Sequence, residues 1–363
     1  MTENDFYWYW LANISGIGIK TRKKLLDYLG HPREIYNCPE EKLKEILTEK
    51  QCQNLILSKE PGPVKVSAER LNRKGISFIH YESPEYPDRL RNIYEPPVVL
   101  YYIGKLPDYN RPILAMVGAR KATVYGRNMA KCFAEELSKS GIQIVSGLAS
   151  GVDTASHIGA LDGGDYTLGI LGGGIDTIYP KENHRLYQEI YSRGCVMSEY
   201  NLGIPNHKGL FPLRNRIISG IADGVFVIEA GEKSGSLITA DQGLEQGKEI
   251  FALPGRITDR MSEGCNRLIS QGAILVSEPA DILEVFHISQ DMTIQSKKDK
   301  KIIFETEEER KVYMFLDEAD PVSFEKLMEY SGFSVSLLQH ILMSLELKKY
   351  IYQTEQNVYL KKV

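Results

Sequence analysis

The sequence predicts an α/β protein with a Rossmann-like, doubly wound, mostly parallel sheet, flanked by a small all-helical N-terminal domain and a C-terminal winged-helix-like domain. Three observations lead there. From residue 112 onward, short apolar runs rich in β-branched residues alternate with helical stretches, which is the βαβ rhythm of a parallel sheet. Residues 5–59 carry helical periodicity and no strand-like run. The chain closes on the order helix, helix, helix, hairpin, which is that of a winged helix.

Composition narrows the function classes. With 363 residues, 42% hydrophobic and 25% charged, the chain is long enough for two or three domains. A formal net charge of -4 excludes a protein that coats nucleic acid by overall basicity, so any such site must be a local basic pocket. The N-terminus MTENDFYWYW lacks a basic leader, and no apolar run approaches the roughly 18 residues of a membrane span, so a cytoplasmic protein with no membrane contact is expected. The five cysteines are scattered without C-x-x-C spacing or clustered histidines; reduced thiols, no metal and no cofactor are expected.

In chain order, residues 1–62 form the helical domain. Within them the turn at Gly16-Ile17-Gly18, followed by a basic helix, reads either as a helix-hairpin-helix that offers N–H groups to a phosphate or as a tight turn between packed helices. Pro61-Gly62-Pro63 marks the boundary, followed by a helix at 65–75, a strand at 76–80 and a Pro- and Tyr-rich connector at 86–104. The core, 63–288, has strand candidates at 113–117, 142–145, 167–171, 194–198, 225–228, 249–252 and 273–276. A polar, charge-alternating linker spans 289–305. The last domain, 306–363, has helices at 307–316, 323–330 and 334–347 and a hairpin turning at 355–357. Its third helix offers Gln339 and His340 but no cation, which favours docking to protein over reading DNA.

In such sheets ligands sit beyond the carboxyl ends of the strands, so the loops there carry the function. After the first core strand, GARKATVYG places Arg120 and Lys121. The next loop, SGLASGVDTASH, holds Gly147 and an Asp153 suited to N-capping. The third has three glycines and then Lys181 and Asn183. The stretch 211–255 opens with a basic turn, Phe211 to Arg216, in which Arg214 and Arg216 flank Asn215. It enters a short helix ending at Gly220, then a buried strand, the loop around Ser234 and Gly235, and a helix starting near Ser236. Glycine loops, helix starts and cations together suit an anion. Phe211 reads as a ring for base stacking or as a core residue preceding Pro212. A basic pocket with an aromatic suits single-stranded DNA, with little sequence preference.

Other chemistries fit poorly. The sequence lacks G-x-G-x-x-G after the first core strand, a P-loop and a G-x-S-x-G elbow, so no catalytic residue is assigned. His157 reads as a packed helix residue. Glu229 and Asp176 stand where an acid meets a ribose, or where one caps a helix or turn.

The motifs VGARKATVYG, SGLASGVDTASH, LGGGIDTIYPKEN, FPLRNRIISG, VFVIEAGEKSGSLITA and GCNRLISQGAILV, in consecutive order over 86–276, closely resemble the DNA processing protein A family, also called Smf. The resemblance implies a cytoplasmic, homodimeric Rossmann-like protein that binds single-stranded DNA and loads a RecA-type recombinase in natural transformation and recombination, with no established enzymatic activity. Carried over by position, the DNA pocket falls on Arg120, Lys181, Phe211, Arg214 and Arg216, with Gly147 and Asn183 nearby; Lys121, Asn215, Ser234 and Gly235 complete the expected phosphate-binding set. The alternative is a nucleotide- or nucleotide-sugar-processing enzyme. The helix start GSLITA also resembles phosphoribohydrolases, but their P-G-G-x-G-T-x-x-E motif is replaced by EAGEKSGSLITADQGLE, with the acid displaced to Glu245.

Overall fold

The computed structural model describes residues 1–288, 304, 306–317, 320–348, 350–355 and 357–361. The linker expected at 289–305 therefore lies outside the described residues, Phe304 excepted, as does position 356 of the expected hairpin turn.

The N-terminal unit comprises α1 (Glu3–Ala12), α2 (Ile19–Leu29), α3 (Pro32–Asn37), α4 (Glu40–Lys44) and α5 (Glu49–Leu57). Thr2 and Thr48 close reciprocal capping boxes on α1 and α5, satisfying first-turn N–H groups. Trp10, Leu11, Leu25, Ile35, Leu43 and Leu55 form its core. In the Gly16-Ile17-Gly18 turn, Ile14 and Ile17 are buried and Asn54 Nδ2 donates to the Ser15 carbonyl at 3.0 Å. The turn is thus seated against α5.

Helix α6 (Pro61–Arg73) begins on the prolines that the sequence suggested as a boundary, because a first turn needs no N–H donor at those positions. Strand β1 (Ser77–His80), α7 (Asp88–Arg91) and β2 (Val99–Gly104) follow. The stretch read as a connector thus contains a buried strand, whose pattern is masked by the prolines before it.

The core continues as β3 (Ile113–Val117), α8 (Val124–Lys139), β4 (Gln143–Ser146), α9 (Val152–Asp162), β5 (Thr167–Gly174), α10 (His184–Arg193), β6 (Cys195–Tyr200), α11 (Leu210–Ile221), β7 (Gly224–Val227), α12 (Gly235–Glu245), β8 (Glu249–Ala252), α13 (Glu263–Ser270), β9 (Ile274–Leu275) and α14 (Pro279–Val285). The nine-stranded sheet has the order β1-β2-β6-β5-β4-β3-β7-β8-β9. Pairs from β6 through β9 are parallel, whereas β1 with β2 and β2 with β6 are antiparallel. Side chains alternate across β3: Leu114 and Met116 join Phe133, Leu137 and Phe226 on one face, while Ile113, Ala115 and Val117 join Ile217, Ile221 and Leu237 on the other. The chain winds outward from β3 through β4, β5 and β6, then returns to β7 on the opposite side of β3. The topological switch therefore lies between β3 and β7, where the loops diverge and leave a crevice.

The last unit has α15 (Glu307–Phe315), β10 (Val322–Ser323), α16 (Phe324–Ser331), α17 (Val335–Leu347), β11 (Ile351–Glu355) and β12 (Val358–Lys361). Its strands form a separate antiparallel sheet, β10-β12-β11, over a core containing Val312, Leu327, Leu338 and Leu342. It touches the core through a hydrogen bond between Asn128 and Tyr352 and an exposed ion pair of Arg256 with Asp320 at 3.0 Å. Among the described residues, no helix is long and apolar enough to cross a membrane, and no His, Cys, Asp and Glu group is arranged to hold a metal.

Candidate nucleic-acid interface

A cleft of about 440 Å³ opens at the switch point, walled by the loops after β3 and β7 and by the first turns of α9, α11 and α12. First-turn N–H groups lack intrahelical acceptors and carry the positive end of the helix dipole, so several such ends at one cleft favour an anion.

The segment read as a basic turn is the first half of α11. That difference separates its two arginines, because residues two apart on a helix point to nearly opposite sides. Arg214 faces the cleft. It is buried, its Nη1 donates to the carbonyls of Gly147 (2.7 Å) and Ile170, and its Nε donates to Asn215 Oδ1 (3.1 Å). Burial pushes its guanidinium down to about 10, against the pull of Asp153. Nη2 has no hydrogen-bond partner among the described residues and is the group available to a ligand.

Arg216 corrects the expectation. It is absent from the cleft wall and is buried on the other side of α11, where Nη2 meets Glu199 Oε2 at 2.5 Å. It ties α11 to the end of β6 and is not placed to take a phosphate in the cleft.

Phe211, in the first turn of α11, is half-buried and lines the cleft. The Arg120 guanidinium lies over its ring, 4.4 Å from the centroid, and Tyr179 flanks it at 6.1 Å. Gly172 underlies the ring: a Cβ there would come within 2.9 Å of Phe211 Cδ1. The three-glycine run is the end of β5, and at Gly172 it admits this ring. Gly147 is a similar case, since a Cβ would lie 2.5 Å from Arg214 Nη2. Its missing side chain makes room for a cation, one step removed from the expected phosphate contact.

The other expected residues divide. Asn215, Ser234 and Gly235 line the cleft with Arg120; Ser234 caps α12 by accepting from Ser236 N, and Asn215 Nδ2 reaches the Gly235 carbonyl at 3.4 Å. Lys121 and Lys181 are exposed outside the cleft wall, with no ion pair among the described residues, Lys181 opening a 3-10 turn before α10. Asn183 is occupied elsewhere: its Nδ2 donates to the Leu148 carbonyl (3.0 Å) and to Thr154 (2.8 Å), bracing a loop in which Leu148 has a positive φ of 56°.

Three charged residues of the cleft wall, Asp153, Glu232 and Lys233, were not singled out as ligand contacts. Lys233 lies in the loop whose neighbours Ser234 and Gly235 had been noticed. Asp153, expected as an N-cap, sits inside α9 behind the actual cap, Gly151, and lines the cleft. It is only 7% exposed, accepts a long bond from Ala149 N at 3.3 Å, and is further favoured by the Ser146 hydroxyl and by the nearby Arg214 and Arg120. Burial pushes its carboxyl up, opposed by Arg214.

Acids weighed for sugar or base chemistry have structural partners. Glu229 accepts from Thr123 N (2.9 Å) and the Thr123 hydroxyl, fixing the start of α8. Asp176 accepts from Gly203 N at 2.8 Å and pairs with Lys74. Glu245 ends α12, about 13 Å along the helix from Ser236 at 1.5 Å per residue. His157 is fully buried against Thr167 at 2.7 Å, and burial pushes it down to about 3.

Comparison with known proteins gives a consistent result. The model of the family "DNA recombination-mediator protein A" matches residues 77–287. DNA processing protein DprA of Streptococcus pneumoniae is 44% identical over 201 residues, spanning 55% of this chain and 71% of that protein. Protein Smf of Synechocystis is 34% identical over 279 residues, 74% of this chain and 70% of that one. The X-ray structure of DNA processing protein A from Streptococcus pneumoniae aligns with a TM-score of 0.67 at 33% identity, covering 77% of this chain and 97% of that one. A structure describing the single-stranded DNA binding mode of DNA processing protein A from Helicobacter pylori aligns with a TM-score of 0.53 at 31% identity, covering 58% and 95%.

Proposed function

This chain belongs to the DNA recombination-mediator protein A family, and from that premise we propose that it binds single-stranded DNA in the cleft between β3 and β7. The observation that carries the reading is the Arg120–Phe211 pair above the buried Arg214: a cation and a ring at the mouth, and a second cation below them. A phosphate meets Arg120 and Arg214 Nη2, and a base stacks on the ring or on the guanidinium plane. Backbone contacts and stacking tolerate any sequence. On the same reading the protein works in the cytoplasm as a homodimer and delivers strands to a RecA-type recombinase during natural transformation and recombination. Binding is favoured over turnover because Glu229 is engaged at Thr123 and Glu245 stands at the far end of α12.

Salt dependence of binding tests the proposal. With Arg216 removed from the set, Arg120, Lys181 and Arg214 give a slope of log K against log salt of about -2, at roughly -0.7 per single-strand phosphate contact. The double variant Arg120→Ala with Lys181→Ala is expected to flatten it by about 1.4, and Phe211→Ala to weaken binding by about 1–3 kcal/mol with the slope unchanged. A folded double variant with wild-type affinity and slope refutes the assignment.

A further inference from the structure

The rings at the cleft mouth do not share one role. Phe211 carries the Arg120 guanidinium over its ring, 4.4 Å from the centroid, and its Cδ1–Cε1 edge packs so closely on Gly172 that a Cβ there would come within 2.9 Å of Cδ1. A base that enters the cleft therefore stacks on the outer plane of that guanidinium, and the base next to it needs a platform of its own.

Tyr179 is placed to supply it. Its ring centroid stands 6.1 Å from that of Phe211, with the planes 34° apart, and the residue is 50% exposed. Ile178 packs into the core, whereas Tyr179, next in the chain, faces out. Among the described residues, Phe211 is its one ring contact and its hydroxyl makes no hydrogen bond. Two residues on, Lys181 is exposed outside the cleft wall. The acids of this loop do not oppose a strand: Asp176 is engaged by Gly203 N and Lys74, and Glu182 stands in the chain between the cations Lys181 and Arg185. Resting on the single-strand reading above, we propose that Tyr179 is a second stacking platform, which takes the base beside the one on Arg120 and leads the strand out of the cleft toward Lys181. Every base has a π-face, so this platform leaves the protein indifferent to sequence and lengthens the stretch of strand it holds.

The test follows an all-thymine oligomer binding to the full chain, by anisotropy of a labelled strand and by protein fluorescence. Tyr179→Trp puts a fluorophore on the platform, and because the chain's own two tryptophans, Trp8 and Trp10, are 2% and 1% exposed, a change on binding that wild type does not show reports position 179. Its emission is expected to be quenched by the strand, along the same binding curve as the anisotropy. Tyr179→Ala is expected to bind about tenfold more weakly with the wild-type salt slope, since a stacked base and no phosphate contact is lost. Tyr179→Phe is expected to match wild type, because stacking uses the ring and not the hydroxyl. Unchanged Tyr179→Trp emission on a bound strand, wild-type affinity in Tyr179→Ala, or a Tyr179→Phe as weak as Tyr179→Ala each overturn the assignment. So does a slope flattened by about 0.7 in Tyr179→Ala, which would show that the ring only positions Lys181. If the wild-type chain binds no single strand, the single-strand reading itself fails; wild-type binding with the outcomes just named sinks only the role of Tyr179.

Discussion

Replacing Arg216 with Met separates the structural arginine of α11 from the one that faces the cleft. The Arg216 and Glu199 side chains are 8% and 3% exposed and meet at 2.5 Å, while Arg216 Nε and Nη1 are buried without a hydrogen-bond partner among the described residues. Glu199 thus supplies nearly all the compensation for the guanidinium, and removing Arg216 leaves a buried carboxylate with only the attraction of Arg22. Breaking one side of such a pair costs about 3–5 kcal/mol. At about 2–4 °C per kcal/mol for a domain of this size, the midpoint is expected to fall by about 6–20 °C. Thermal unfolding by circular dichroism measures this, and the double variant Arg216→Met with Glu199→Gln should recover part of the loss because both charges of the pair leave together, while Arg22 loses the attraction of Glu199. Binding of single strands, measured well below both midpoints, should keep its salt slope. An Arg216→Met protein with the wild-type midpoint and a slope flattened by about 0.7 would refute the argument, since Arg216 would then be touching a phosphate.

His157 sets a pH dependence. It is pushed down to about 3 in the folded protein from an ordinary 6.5, so between those values the unfolded chain binds a proton that the folded chain does not. Its contribution is complete above pH 6.5 and declines as pH falls toward 3, by about 1.4 kcal/mol per unit. Denaturant titrations of wild type and His157→Gln from pH 7 to about pH 4 should show a shallower acid limb in the variant; superimposable limbs would rule the account out. Gly147→Ala places a Cβ 2.5 Å from Arg214 Nη2, and because that guanidinium is held by two carbonyls it cannot yield freely. Overpacking of this kind costs on the order of 1–3 kcal/mol, so both midpoint and single-strand affinity should drop; an affinity equal to wild type would show that Arg214 is not a contact.

Much of the fold was legible because β3 to β8 are buried on both faces, and such strands announce themselves as apolar, β-branched runs between helices. Strand β2 was not: Pro96 and Pro97 and the tyrosines around it read as a connector, and its pairing with β6 depends on residues far along the chain. The segment 211–216 read as a basic turn is helical, and its Pro212 is at home in a helix first turn. Had a helix been assigned, the divergence of Arg214 and Arg216 would have followed from periodicity alone.

The amino-acid sequence by itself determined that this is a wound α/β protein whose Gly-rich loops and cations gather at the carboxyl ends of its strands, because period and composition are local properties. Tertiary structure alone decided what each loop residue does there. Gly147 serves Arg214, Gly172 serves Phe211, Arg216 belongs to Glu199, and Asp153 settles beside Arg214. Those partners come from separate segments, and only the packing of α9 and α11 against the sheet brings them within contact distance.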